Sequence, residues 1–178
     1  MISTTSTLEE IAYAVCTLFH NCGKTVVLTG GSAATIYAPA HYQSRDLDFV
    51  MQFSSGGLAV VQKLQELGFE SGPSSIYKHP NSAFTIDFIA GDLAVGEKYI
   101  SSWKTLHKGD QILHILSPED CICDRLASYI YWNDFSALSA AAGVYNTTHA
   151  NLDDVRTWLE KENAEVDQTI SRLVALAK

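Results

Sequence analysis

No stretch of this 178-residue chain comes near the roughly 20 consecutive apolar residues that a membrane-spanning helix needs, which predicts a soluble protein with no membrane partner. The opening Met1-Ile2-Ser3-Thr4-Thr5-Ser6 lacks the basic residues and apolar run of a secretory signal, so the expected location is the cytoplasm. Cysteine is sparse. Cys16, Cys22, Cys121 and Cys123 show neither paired metal-ligand spacing nor the density of a disulfide scaffold, and they read as reduced thiols. Basic residues are also few: 12 Lys and Arg against 20 Asp and Glu leave a formal charge of −8, which argues against a protein whose main task is coating nucleic acid. The six histidines, His20, His41, His79, His107, His114 and His149, fall at no metal-ligand spacing. Gly23-Lys24-Thr25 resembles the end of a P-loop, but Leu18 stands where the earlier glycine is required, and the motif precedes a strand instead of following one. Internal repeats and low-complexity linkers are absent as well.

What is present is ordinary globular material, 47% apolar and long enough for one sizeable core with a helical appendage. Leu8, Ile11, Ala12, Val15, Leu18 and Phe19 recur at helical spacing, and Thr7 with Glu10 forms a capping box ahead of them. Gly23 ends that helix, and Thr25 to Thr29 reads as a buried strand. A short helix of small residues, Ser32 to Tyr37, stops before Pro39, and a second strand covers Asp46 to Met51. After Ser54-Ser55-Gly56-Gly57, a helix presents Leu58, Val61, Leu64 and Leu67 and ends on Gly68. Ile76 to His79 and Phe84 to Ile89 flank Pro80-Asn81-Ser82 as a hairpin, and Ile112 to Leu116 is one more strand.

Two motifs carry chemistry. Gly30-Gly31-Ser32 follows the apolar run Val26-Val27-Leu28-Thr29, and its glycines let backbone N–H groups approach an anion closely. The strand beginning at Asp46 places Asp46 and Asp48 on one face and sends Leu47 and Phe49 into the core. Paired carboxylates repel unless a cation sits between them, and hard oxygen donors suit Mg²⁺ or Mn²⁺. In the hairpin's second strand Phe84, Ile86 and Phe88 share one face and Asp87 the other, making Asp87 a candidate third carboxylate if its strand pairs beside the first.

At Ser117-Pro118-Glu119-Asp120 the pattern changes to a capping serine, a first-turn proline and two acids facing the positive end of a helix dipole. Four helices follow, over Cys121 to Tyr131, Phe135 to Val144, Leu152 to Lys161 and Ala164 to Leu176. The expected organisation is therefore a core over residues 1–116 and a helical region over 117–178. Cys121-Ile122-Cys123 reads as helix packing. Tyr129, Tyr131 and Trp132 read as core or interface, with base stacking the alternative. Arg125 is either a surface ion pair with Asp120 or Glu119, or a charge clamp on a phosphate chain.

Together, Gly30-Gly31-Ser32, Ser44-Arg45-Asp46-Leu47-Asp48-Phe49-Val50 and Ile86-Asp87-Phe88 resemble the nucleotidyltransferase superfamily, the fold shared by DNA polymerase beta, and within it the minimal bacterial members and AbiEii-type toxins. The segments Leu116 to Asp120, Asp124-Arg125-Leu126-Ala127 and Trp132-Asn133-Asp134 look like the helical part that follows the core in bacterial relatives. The resemblance implies an α/β (α+β) fold with a mixed sheet flanked by helices and a C-terminal helical segment. It also implies that Asp46, Asp48 and Asp87 hold Mg²⁺ or Mn²⁺, and that Gly30, Gly31, Ser32, Ser44, Arg45 and Arg125 contact an NTP. A hydroxyl acceptor on protein, RNA or a small molecule would attack the α phosphate, and pyrophosphate would leave. Many relatives carry a helix lysine where this chain has Arg125. Two other readings stand beside this one. The first is a catalytically degenerate nucleotide- or protein-binding domain; the second is a toxin with an antitoxin partner, acting on tRNA or protein, the tRNA version being disfavoured by the small number of basic residues.

Overall fold

The computed structural model describes residues 2–52, 57–72, 76–89 and 91–177. From its start the chain runs α1 (Leu8–His20), β1 (Thr25–Thr29), α2 (Gly30–Tyr37), β2 (Asp46–Gln52), α3 (Gly57–Glu66), β3 (Glu70–Ser71), β4 (Ile76–Lys78) and β5 (Thr85–Ile89). It continues through β6 (Ala94–Val95), β7 (Lys98–Tyr99), β8 (Lys104–Lys108) and β9 (Gln111–Ile115) to α4 (Pro118–Trp132), α5 (Phe135–Thr148), α6 (Leu152–Lys161) and α7 (Val166–Leu176). Two compact units emerge. One is built from Met1–Leu28, Arg45–Leu93 and Trp103–Ile115, the other from Thr29–Ser44, Ala94–Ser102 and Leu116–Lys178.

The first unit is a seven-stranded sheet in the order β3-β4-β5-β2-β1-β9-β8, with α1 and α3. The sheet is mixed, because β2 runs parallel to β5 and β1 to β9, whereas the pairs β3–β4, β4–β5 and β8–β9 are antiparallel. Helix α1 begins in the expected capping box: Thr7 Oγ1 accepts from the Glu10 N–H at 3.2 Å, and Glu10 Oε2 accepts from the Thr7 N–H at 2.9 Å. Its apolar stripe of Ile11, Val15 and Phe19 is buried on the sheet. There the Phe19 ring lies 5.4 Å from Phe88, which stacks on Phe49 at 5.7 Å. Thr17 Oγ1 fastens the helix to β9 by accepting from the Ile112 N–H at 3.0 Å. Helix α3 stops short of Gly68, where the N–H groups of Gly68 and Phe69 donate to Gln65 and Leu64 in a Schellman closure.

In the second unit, Ser117 caps α4 with its Oγ accepting from the Asp120 N–H at 3.0 Å, and Pro118 takes the first helical position, as the sequence predicts. Asn133 ends that helix in the left-handed conformation, φ 53°, and Asp134 caps α5 through the N–H groups of Ser136 and Ala137. A small-residue face on α5, including Ala137, Ala140 and Ala141, is buried against α2 and α4. The ribbon β6–β7 is tied to α6 by Trp158 Nε1, which donates to the Val95 carbonyl at 3.0 Å.

Several boundaries differ from expectation for identifiable reasons. Helix α4 starts at Pro118, three residues before the apolar periodicity becomes visible, because the cap rather than the periodicity sets its first turn. Helix α5 runs on to Thr148, and α7 begins at Val166, after Asn163 at φ 54° has interrupted the chain. Strand β8 escapes the sequence reading because it is an edge strand: four of its five residues are exposed, and lysines sit at both ends. Strands β3, β6 and β7 span two residues each, too few for any periodicity. The Ser54-Ser55-Gly56 turn and the side chains of Leu58 and Val61 lie outside the described residues. Among the described residues no helix is long and apolar enough to cross a membrane.

Candidate active site

The expected carboxylates are arranged by strand register. β2 and β5 pair in parallel with Asp46 opposite Thr85, Asp48 opposite Asp87, and Phe49 opposite Phe88. Directly opposed residues on neighbouring strands share a face, so Asp48 and Asp87 point the same way, and Asp46, two residues before Asp48, joins them. Leu47, Phe49 and Ile86 are fully buried on the other face, the one α1 covers. The three acids therefore occupy the sheet face opposite α1, with Asp46 exposed and Asp48 and Asp87 half-buried. Arg45 is exposed just ahead of β2, and its carbonyl accepts from the Thr85 N–H at 3.1 Å, extending the ladder that sets this register. The field of Asp87 reaches Tyr77 on the next strand, whose phenol is pushed up by burial and then by that negative charge.

The glycine turn belongs to the second unit. Gly30 has φ +66°, the left-handed region that favours glycine, and Thr29 stands at the N-cap of α2, where its extended backbone and not a side-chain capping bond opens the helix. Gly31 is needed for a different reason. A Cβ there would lie 3.0 Å from Tyr42 Cε1 and Oη and 3.4 Å from Ser44 Oγ. Ser32 is buried and donates from Oγ to the Thr29 carbonyl at 2.8 Å, which braces the turn. Ser44, also buried, is held to the same helix: its N–H donates to Thr35 Oγ1 at 2.8 Å, and Thr35 Oγ1 donates to the Gly31 carbonyl at 3.0 Å.

Arg125 departs from the surface ion pair with Asp120 or Glu119. Its Nε and Nη2 both donate to Oδ2 of the adjacent Asp124, at 3.0 and 2.8 Å, and its side chain is only 14% exposed. Burial works against its charge, but the Asp124 carboxylate outweighs it and holds the guanidinium above its ordinary value, so it stays charged throughout the working range. Asp120 pairs instead with Lys98 at 2.6 Å. Sequence spacing could not foresee this, because neighbours in a helix do not ordinarily face each other. Cys121 and Cys123 are buried, free thiols, as helix packing requires, and burial pushes both upward and away from reactivity.

Thus Asp46, Asp48, Asp87 and Arg45 gather in the first unit, and Gly30, Gly31, Ser32, Ser44 and Arg125 in the second. As donors, the three carboxylates are the right type for a hard divalent cation. Among the described residues, however, no group of three or more His, Cys, Asp or Glu side chains is arranged to hold a metal ion. Register alone puts the three acids on one face of the sheet. Tyr42 packs on Gly31, a contact that no spacing rule predicts from sequence.

No family model matches the chain, and no curated protein matches it significantly. Solved structures do. The chain is similar to an antigenic nucleotidyltransferase-like protein from Paracoccidioides brasiliensis, with a TM-score of 0.59 and 14% sequence identity over 96% of this chain and 94% of that one. It is also similar to the antibiotic-resistance factor ANT(2'')-Ia, described as having substrate-regulated conformation dynamics, with a TM-score of 0.56 and 12% identity over 88% and 89% of the two chains. At such identities the likeness is one of backbone, and it makes this mixed sheet with flanking helices a nucleotidyltransferase-like fold.

Proposed function

Starting from that fold, we propose that the chain is a metal-dependent nucleotidyltransferase that moves an NMP group from an NTP to a hydroxyl acceptor. The observation that carries this reading is the in-register opposition of Asp48 and Asp87 on parallel strands, with Asp46 on the same face. Asp46, Asp48 and Asp87 would hold Mg²⁺ or Mn²⁺, which would supply charge neutralisation on the phosphates and the leaving pyrophosphate. Asp87, on the strand beside the other two, is suited to orient the acceptor hydroxyl and take its proton. The backbone of Gly30 and Gly31 can approach a phosphate chain closely, and Arg125 supplies a permanent positive charge. Little else need be reactive, since positioning and electrostatics carry most of such a transfer.

A second reading, a degenerate domain that binds nucleotide without chemistry, is favoured by two observations: the acids as placed do not form an ion-holding group, and Arg125 is already engaged by Asp124. One experiment separates the two. The protein is incubated with each α-labelled NTP and Mg²⁺ or Mn²⁺, and label is sought in the protein itself, in tRNA, in small hydroxyl compounds and as released pyrophosphate. Transfer that disappears in Asp48→Asn supports the enzyme. Nucleotide binding without transfer supports the degenerate domain. Label in tRNA is what a toxin aimed at tRNA requires, and the net charge of −8 makes protein or a small molecule the expected acceptor.

A further inference from the structure

Around the acids, the sheet face changes character along the strands. β4 pairs antiparallel with β5, setting Lys78 opposite Thr85 and Ile76 opposite Asp87, while β5 sets Ile89 opposite Val50 of β2. Residues opposed across strands, or two apart along one, share a face. Three rows therefore follow one another: Lys78, Thr85 and Asp46; then Ile76, Asp87 and Asp48; then Ile89 and Val50. The first row is polar and the last apolar. Val50 is buried, but Ile76 is 36% exposed and Ile89 46% exposed. Open isoleucines are out of place here, because strands paired in parallel, as β5 is with β2, ordinarily bury both faces. Helix α1 lies on the opposite face, against Phe88. Ile76 is the direct neighbour of Asp87 across the strands, and Ile89 stands one row further, about 6.6 Å along the strand. The acid suited to take the acceptor's proton is thus flanked on two sides by exposed apolar side chains.

We propose that Ile76 and Ile89 select the acceptor, forming a shelf beside Asp87 for a small alcohol whose hydroxyl is carried on an apolar alkyl or aryl frame, in preference to a polyol or sugar. This rests on the nucleotidyltransferase reading and names the acceptor class of that same site. The hydroxyl oxygen forms the new bond to the α phosphorus as the bond to the α–β bridging oxygen breaks, its proton passes to Asp87, and the electron pair leaves with pyrophosphate. Contact with the two isoleucines removes apolar surface of both partners from water and holds the frame where its hydroxyl reaches the carboxylate. A sugar laid there would lose hydrogen bonds to water and find no polar partner on either isoleucine.

Two measurements on the full chain test the assignment. In methyl NMR spectra of isoleucine-labelled protein, with signals assigned through Ile76→Val and Ile89→Val, benzyl alcohol shifts the Ile76 and Ile89 signals saturably, whereas glycerol leaves them in place. In transfer assays with α-labelled NTP and Mg²⁺, benzyl alcohol accepts label in preference to glycerol. Ile89→Thr keeps the β-branched shape that suits a strand and lowers the ratio of the two kcat/KM values about tenfold. The assignment is overturned if both methyl signals ignore benzyl alcohol or respond equally to glycerol, or if the ratio is unchanged in Ile89→Thr. Transfer to protein, tRNA or glycerol but not to benzyl alcohol removes this assignment alone. Absence of transfer to any of these acceptors removes the nucleotidyltransferase reading, and this assignment falls with it.

Discussion

Asp87→Asn is the sharpest probe of the acidic face, because it removes one charge from an opposed pair and almost nothing else. Asp48 and Asp87 are register partners on neighbouring parallel strands, which run about 4.8 Å apart. Two unit charges about 5 Å apart repel by roughly 0.8 kcal/mol when screened as in bulk water, and by about 3 kcal/mol at an effective dielectric of 20. Opposed like charges on sheets fall near the lower figure, so relief of about 1 kcal/mol is expected. In a domain of this size that raises the melting temperature by about 2–4 °C in metal-free buffer. The gain shrinks with added salt as screening removes the repulsion. A cation bound between the acids reverses the ranking, because a ligand at ten times its dissociation constant stabilises the wild type by about 1.4 kcal/mol, and the variant loses that site. Scanning fluorimetry of both proteins, with chelator and with a Mg²⁺ series, reads all three effects. A metal-free Asp87→Asn protein that melts at or below the wild type, or a Mg²⁺ response identical in both, would refute the convergence of these carboxylates.

Two further outcomes follow from particular residues. Gly30→Ala places a Cβ at φ +66° and is expected to cost about 1–2 kcal/mol, read as a fall of several degrees in melting temperature; an unchanged melt would show that the turn tolerates a side chain. His114, buried under α1, lies 5.9 Å from the His20 ring, with Nδ1 2.8 Å from Thr105 Oγ1, and burial, then His20 and His107, hold its imidazole below the ordinary value. The unfolded chain therefore takes up this proton first, so stability is complete above the unfolded value of about 6.5 and declines as pH falls from there towards the lowered folded value. Melting curves between neutral and mildly acid pH should be shallower in His114→Gln than in the wild type, and parallel slopes would count against the burial penalty.

Much of the architecture was legible without coordinates. The Thr7–Glu10 capping box, the strand Thr25–Thr29, the helix Leu152–Lys161 and the cap at Ser117 all appear where the sequence puts them, because each is written in contiguous residues whose preferences are local. The alternation Asp46-Leu47-Asp48-Phe49 dictated which side chains share a face, since a strand's period of two admits no other answer. Hidden from that reading were features that depend on distant partners or carry no period. Strand β8 is visible only by its pairing with β9, and Arg125 is committed to Asp124 only because its helix surface is buried.

By itself, the order of residues determined that Asp46 and Asp48 point together, that Asp87 opposes its own core face, and that a glycine bend precedes them, since each of these follows from backbone geometry within one element. Whether β5 lies beside β2, and in a register that sets Asp87 against Asp48, was decided only by the tertiary structure. Strand order and pairing come from the competition of whole apolar faces for burial, and no single segment contains that information.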